Sequence, residues 1–228
     1  MMYLKRKKSN GDMKYIGKFE ENIFINYPLD STYESIFRAI VFAILAHGFY
    51  PLCAKQEIGG TSRIEKICKM IKKCKYSIND ISMVCPDDNN HLPRFNMAFE
   101  LGLFIGCQRL GTKKNSTKDF LVLDKSPHQT KCTLTDIDFM DSVGYNNDKH
   151  EALKAVNNWL RQLKGVDKPG NAWIVNRFKK FEETFPELCN RLGVNIEDPI
   201  PKDLYRIIGK FLKEEQSFIK RIGESNDL

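Results

Sequence analysis

Short runs of β-branched and aromatic residues alternate with amphipathic segments over the first half of the chain. Four runs have the composition of buried strands: residues 22–28, 49–54, 76–84 and 119–124. Between them, apolar positions at helical spacing predict helices that begin after Asp30, after Ser62 and near Phe95. Strands that alternate with helices indicate βαβ units. We therefore predict an α/β, flavodoxin-like fold, with a mainly parallel sheet and helices on both faces.

The pattern changes after residue 125. Residues 126–147 are predicted to be irregular, and Pro186 and residues 193–201 are predicted to interrupt the chain. Three amphipathic helices are expected: over residues 149–163, after Gly170, and over residues 203–222. The apolar stripe of the last helix needs a partner surface, which is either the sheet domain or a second chain.

The predicted organisation has three parts. A basic lead-in covers residues 1–20, an α/β domain covers residues 21–147, and a helical extension over residues 148–228 packs on that domain or mediates assembly. The longest apolar run, residues 39–46, is too short for a membrane helix. The lead-in has no apolar stretch behind it, so it is not a secretory signal. We expect a cytoplasmic protein with no membrane association.

Charge narrows the choice of partners. The chain of 228 residues has a net charge of +7, partly from a lysine run over residues 69–75. Such an excess suits an anionic ligand or a nucleic-acid surface. No aromatic residues interleave with these lysines and no nucleic-acid-binding signature is present, so direct nucleic-acid binding is not expected. The cysteines, the histidines and the aspartates at 136, 138 and 141 lack recognisable ligand spacing, so no metal site is expected.

The strongest local signal is the segment from Leu92 to Gly102. Asn96 and Glu100 are four residues apart and share one helix face. Apolar residues surround Glu100, and a carboxylate is costly to bury without a partner. Glu100 therefore either pairs with an arginine, such as Arg94 or Arg63, or has a chemical role. The pattern alone leaves both interpretations open.

The stretch from Arg94 to Gly106 resembles the Asn-x-x-Phe-Glu-Leu-Gly motif of TIR-like, predicted nucleotide-binding domains of bacterial anti-phage defence systems. These domains are similar in architecture to Toll/interleukin-1 receptor domains and nucleoside 2-deoxyribosyltransferases, which are flavodoxin-like. Weaker matches at residues 27–30, 63–67 and 76–82 extend the resemblance over roughly residues 20–125. In this group a Glu beside the carboxyl edge of the sheet acts on the N-glycosidic bond of NAD or a nucleoside. The resemblance implies that Glu100 is catalytic.

Two positions depart from the pattern of these relatives. Tyr27 stands where a small residue or Cys precedes the proline, and its bulk would narrow the pocket. Asn79 stands where a His precedes the Asp, and an amide cannot take up a proton as imidazole can. The second departure gives weight to a role in binding without catalysis.

The chemistry itself requires few groups. Breaking the bond between ribose and nicotinamide gives an oxocarbenium-like transition state, and the pyridine leaves as a neutral molecule. A carboxylate can stabilise the positive charge, hold the ribose hydroxyls or attack the anomeric carbon. One Glu is therefore sufficient, which suits a sequence without a Ser/His/Asp or Cys/His constellation.

Loops at the strand ends would complete the site. The candidate substrate-binding residues are Tyr27, Asp30, Arg63, Asp80, Ser82, Arg94 and Asn96. Arg94 and Arg63 are candidate phosphate-binding cations. Most of these residues also have a structural interpretation: Asp30 as a helix cap, Tyr27 as a loop residue, Asp80 in a backbone turn and the arginines in ion pairs.

The resemblance implies a TIR-like NAD(+) nucleosidase that releases nicotinamide in bacterial anti-phage defence, with NAD as its substrate and no cofactor. Such an activity would be toxic if constant, so we expect self-association or a defence-system partner protein to activate it. Three alternatives remain open. They are a non-catalytic nucleotide-sensing module, a nucleoside deoxyribosyltransferase-like N-glycosidase, and an adaptor domain with a vestigial pocket.

Overall fold

A computed structural model describes residues 17–56, 62–84, 93–127, 129, 134–135, 141–163, 170–197 and 199–225, with side chains up to residue 215. Five strands lie in these ranges: β1 (Asn22–Asn26), β2 (Tyr50–Leu52), β3 (Tyr76–Asp80), β4 (Asp119–Asp124) and β5 (Ser142–Gly144). The α-helices of these ranges are α1 (Glu34–Ala46), α2 (Arg63–Lys73), α3 (Asn96–Leu110), α4 (Lys149–Gln162), α5 (Asn171–Leu192) and α6 (Pro201–Ser225). Most of the predicted lead-in, residues 1–16, lies outside the described residues.

The five strands form one parallel sheet in the order β2-β1-β3-β4-β5. This is the flavodoxin-like order, so the predicted α/β fold is confirmed. All five residues of β1 are buried, as expected for a central parallel strand that is covered on both faces. Because every strand runs the same way, all carboxyl ends lie at one edge of the sheet, where such folds bind ligands.

Alternate residues of the strands pack against different helices. Ile25 of β1 belongs to a core with Ile40 of α1 and Leu153 of α4, and this core continues into α5 and α6. Phe24 points to the other face, where it packs with Ile71 of α2 and with α3. The sheet therefore has α1 and α4 on one face, with α5 and α6 packed against them, and α2 and α3 on the other face.

The C-terminal region corrects two predictions. Pro186 lies inside α5 and does not interrupt it, because buried Phe181, Phe185 and Leu188 anchor the helix on both sides of the proline. The segment 126–147, predicted to be irregular, contains β5, which pairs with β4 over three residues. The three residues of β5 are Ser, Val and Gly, and only the valine is of a type enriched in strands, so no local pattern predicts this strand.

The apolar stripe of α6 packs within its own chain over the described side chains. Leu204, Ile207, Ile208 and Phe211 are buried in the same core as α1 and α5. The helix begins at Pro201, whose fixed φ suits the first helical position. The domain division at residue 147 stays a prediction, although the hydrophobic core crosses it without a break.

Across the described ranges, no helix has both the length and the apolar character needed to cross a bilayer.

Candidate active site at the carboxyl edge of the sheet

Glu100 lies in the second turn of α3, on the side that approaches α2. Glu100 is only 5% exposed, and Arg63 Nη2 lies 3.4 Å from Glu100 Oε1. Arg63 is the first residue of α2, and 53% of its side chain is exposed. Desolvation by burial raises the pKa of Glu100, and Arg63 opposes this shift. Of the two arginines that the sequence offered as partners, Arg63 is the one in contact.

A buried polar network holds α3, and therefore Glu100, against the sheet. Asn26 Nδ2 donates to Met97 O in the first turn of α3 at 2.8 Å and to Asn79 Oδ1 at 3.4 Å. Asn79 Nδ2 in turn donates to Ser77 Oγ at 2.7 Å. Asn26 and Asn79 are direct partners in the β1–β3 register. The amide of Asn79 therefore has a structural role inside the sheet, which sequence analysis missed.

Asp80, the last residue of β3, is the centre of a second buried network. Its Oδ2 accepts from Tyr33 Oη at 2.5 Å, and its Oδ1 accepts from Ser82 N at 2.9 Å and Ser82 Oγ at 2.5 Å. Tyr145 Oη donates to Ser82 Oγ at 3.1 Å. Burial raises the pKa of Asp80, although the bonds from Ser82 and Tyr33 oppose the rise. Because both carboxylate oxygens have partners, Asp80 and Ser82 hold the strand ends together.

Asp30 and Arg94 form a third pair at the same edge. Asp30 Oδ1 accepts from Thr32 N at 3.0 Å and from Thr32 Oγ1 at 2.8 Å, and Asp30 Oδ2 accepts from Arg94 Nη2 at 2.9 Å. The bonds from Thr32 are the main cause of the lowered pKa of Asp30, and Arg94 adds to it. Arg94 Nη1 also donates to Leu29 O at 3.3 Å. Arg94 therefore ties the loop after β1 to the segment before α3.

Tyr27 and Asn96 occupy contrasting positions. The Tyr27 ring is buried and stacks on Phe37 and Tyr33, with centroids 4.2 Å and 5.8 Å away. The pKa of its hydroxyl is raised by desolvation first, and then by the Cys53 thiol and other nearby groups. Asn96 is the first residue of α3 and is exposed. The structure thus places all the predicted site residues on elements at the carboxyl edge, but it turns the Tyr27 ring into the core.

Tyr33 and Tyr145 are further residues of this edge that sequence analysis did not identify. Their hydroxyls reach the Asp80 network from the turn before α1 and from the end of β5. Each is a single aromatic residue in a loop-like segment, so no local pattern distinguishes it. Burial raises the pKa of both hydroxyls, which therefore remain protonated hydrogen-bond donors.

No group of three or more His, Cys, Asp or Glu among the described residues is arranged to hold a metal ion. The aspartates at 136 and 138 lie outside these residues, and Asp141 is exposed.

The chain was compared with protein-family models, curated proteins and solved structures. No protein-family model, no curated protein and no solved structure matches the chain.

Proposed function

We propose that the chain is an NAD(+) nucleosidase that cleaves the N-glycosidic bond of NAD, with Glu100 as its catalytic residue. The observation that supports this proposal most is a carboxylate buried at the carboxyl edge of a parallel sheet, whose one hydrogen-bond partner among the described residues is a half-exposed arginine. The resemblance of Arg94–Gly106 to TIR-like domains supports NAD as the substrate and a role in anti-phage defence.

The environment of Glu100 suits the stabilisation of a developing cation. The bond between ribose C1′ and the nicotinamide nitrogen breaks, and the pyridine leaves with the electron pair. A water molecule then adds to C1′ and loses a proton, which gives ADP-ribose and nicotinamide. In a buried setting a carboxylate attracts the positive ribose more strongly than it would in water. The pKa of Glu100 is raised because the attraction to Arg63 does not fully offset the cost of burying the carboxylate charge. A cationic transition state would add a second positive charge that stabilises the ionised carboxylate.

The two arginines would serve the anionic part of the substrate. Arg63 and Arg94 both stand at the carboxyl edge, and roughly half of each side chain is open to solvent. A planar guanidinium can bind a phosphate through two parallel hydrogen bonds. We propose that the diphosphate of NAD lies between these groups while its nicotinamide ribose reaches Glu100.

The test is nicotinamide release from NAD by the purified chain over a range of protein concentrations. Glu100→Gln should lower the rate by about 100-fold or more, because it removes the charge and keeps the shape. Glu182→Gln is the matched control, since Glu182 is also a partly buried, ion-paired glutamate but lies on α5. Undiminished release by Glu100→Gln would contradict the proposal, whereas a steep dependence on concentration would support activation by assembly.

A nucleotide-binding module without catalysis is the second candidate. It is favoured by Asn79, which has no titratable proton and is committed to the network with Asn26 and Ser77. Calorimetry with NAD separates the two functions: tight binding with no release at any concentration would identify a binding module. Release from deoxynucleosides but not from NAD would instead indicate a deoxyribosyltransferase-like enzyme.

A further inference from the structure

The outer side of α2 is strongly basic. The helix turns Ile67, Met70 and Ile71 toward the sheet, which leaves its charged residues outside. It has five cations, Arg63, Lys66, Lys69, Lys72 and Lys73, against one acidic residue, Glu65. Three of the lysines, at 69, 72 and 73, are exposed. This helix therefore presents a dense row of positive charge to solvent.

These lysines differ from many of the charged residues on the other side of the molecule, where opposite charges lie in contact. Several cations of α4 and α5 form ion pairs with acidic residues of a neighbouring helix, as in Lys149–Glu182, Arg177–Glu215 and Lys180–Glu215. Within the described part of the chain, no ion pair involves Lys69, Lys72 or Lys73. Their charge is therefore left for an external anion.

The outer side of α3 is apolar where a surface helix is normally polar. Phe95 and Phe99 are 60% and 57% exposed and lie one turn apart. Gly102 and Gly106 continue the same stripe, and a Cβ added at either would meet nothing within 4 Å. Leu110, which is 89% exposed, ends it. The result is a ridge with two aromatic rings at one end and a low, open surface beyond them.

The basic row and the apolar ridge lie side by side. Helices α2 and α3 are neighbours on one face of the sheet, joined by Arg63–Glu100 near their first turns and by packing of Ile71 with Phe104. Packed helix axes are about 8–10 Å apart. At a rise of about 1.5 Å per residue, the cations from Arg63 to Lys73 extend over about 15 Å. The two rows are far apart in sequence and become adjacent only through folding, which is why the sequence pattern alone does not predict nucleic-acid binding.

We propose that this α2–α3 surface binds a single-stranded nucleic acid. Phosphates would contact the lysines of α2, and bases would stack on Phe95 and Phe99. A single strand has its phosphates along one side and its bases along the other. The lysine row on α2 and the aromatic ridge on α3 lie side by side in the same way, so one strand can contact both. A duplex hides its base faces from such rings. An anionic membrane would need apolar side chains that protrude along the whole ridge, but two of its positions are glycines. This inference is independent of the chemistry at Glu100.

Fluorescence anisotropy with labelled oligo-dT and oligo-U of about 20 nucleotides tests the proposal, beside a duplex of equal length. The triple variant Lys69→Gln, Lys72→Gln, Lys73→Gln should reduce the salt slope by about two and therefore weaken binding about 100-fold at about 100 mM salt. The matched control neutralises three exposed lysines of α5 and α6, namely Lys179, Lys202 and Lys213, and should leave the slope nearly unchanged. Circular dichroism checks the fold of each variant.

The aromatic contribution has its own pair of variants. Phe95→Ala with Phe99→Ala should weaken binding about tenfold or more without changing the salt slope, because stacking involves no counterions. Trp173→Ala removes an exposed aromatic ring of α5 and should have no such effect. Four results would overturn the proposal. They are an equal loss of binding in both lysine triples, a preference for the duplex, tighter binding to phosphatidylserine vesicles, and no binding to either oligonucleotide.

Discussion

Phe211 offers the most direct test of whether the C-terminal helices and the sheet form one cooperative unit. This α6 residue is 5% exposed, and its ring centroid lies 5.4 Å from that of Phe181 in α5 and 6.2 Å from that of Phe42 in α1. Phe211→Ala would leave a cavity where three helices meet, and such truncations destabilise a protein by about 3–5 kcal/mol. Since typical domains have only about 5–15 kcal/mol of stability, this loss should be easy to measure.

The assay is urea unfolding with one probe on each side of residue 147. Both tryptophans, Trp159 and Trp173, lie in α4 and α5, so their fluorescence reports on the C-terminal helices. Cys74 is buried between α2 and the far face of the sheet, so its alkylation reports on the opening of that half. In a single cooperative unit, Phe211→Ala lowers the midpoint of both probes equally. Leu110→Ala, at an exposed position, should change the stability by less than about 0.5 kcal/mol.

A split between the two probes would refute this reasoning. If fluorescence changed at lower urea while Cys74 kept its native protection, residues 148–228 would be an independent folding unit. The predicted domain boundary at residue 147 would then separate two units that unfold independently.

Three further predictions concern buried polar groups. Burial raises the pKa of Asp80 above its ordinary value of 3.8. The contribution of Asp80 to stability is therefore largest below this ordinary value, and it is lost as the pH rises through the raised pKa of Asp80. Asp80→Asn should lack this decline when urea midpoints are compared from about pH 3 to 7. Burial raises the pKa of the Cys74 thiol to about 12, so peptide mapping after treatment with iodoacetamide at about pH 8 should find it modified only in urea. Asn26→Ala leaves Met97 O without this donor and should lower the unfolding free energy by about 1–3 kcal/mol, whereas Asn176→Ala at an exposed position of α5 should not.

The sheet was predictable where strands are long and buried on both faces. The run Asn22–Asn26 is β-branched and aromatic at its centre, and the boundaries predicted for β4 agree with the structure. β3 ends at Asp80, four residues before its predicted end, because the side chain of Asp80 bonds to the backbone of Ser82 and turns the chain. Local patterns indicate burial well, but the end of this strand depends on the hydrogen bonds of a single side chain.

The candidate site was predictable only in part, since a local pattern identifies a buried charge but not its partner. Glu100 is evident because a carboxylate interrupts an apolar helix. Arg94 is six residues from it in sequence, yet Arg63, thirty-seven residues away, makes the contact because the start of α2 lies beside α3. Arg94 instead reaches Asp30 across the sheet edge. The order of the strands in the sheet therefore decides which arginine pairs with Glu100. The same holds for the lysines of α2 and the phenylalanines at the start of α3, which become neighbours only in the folded sheet.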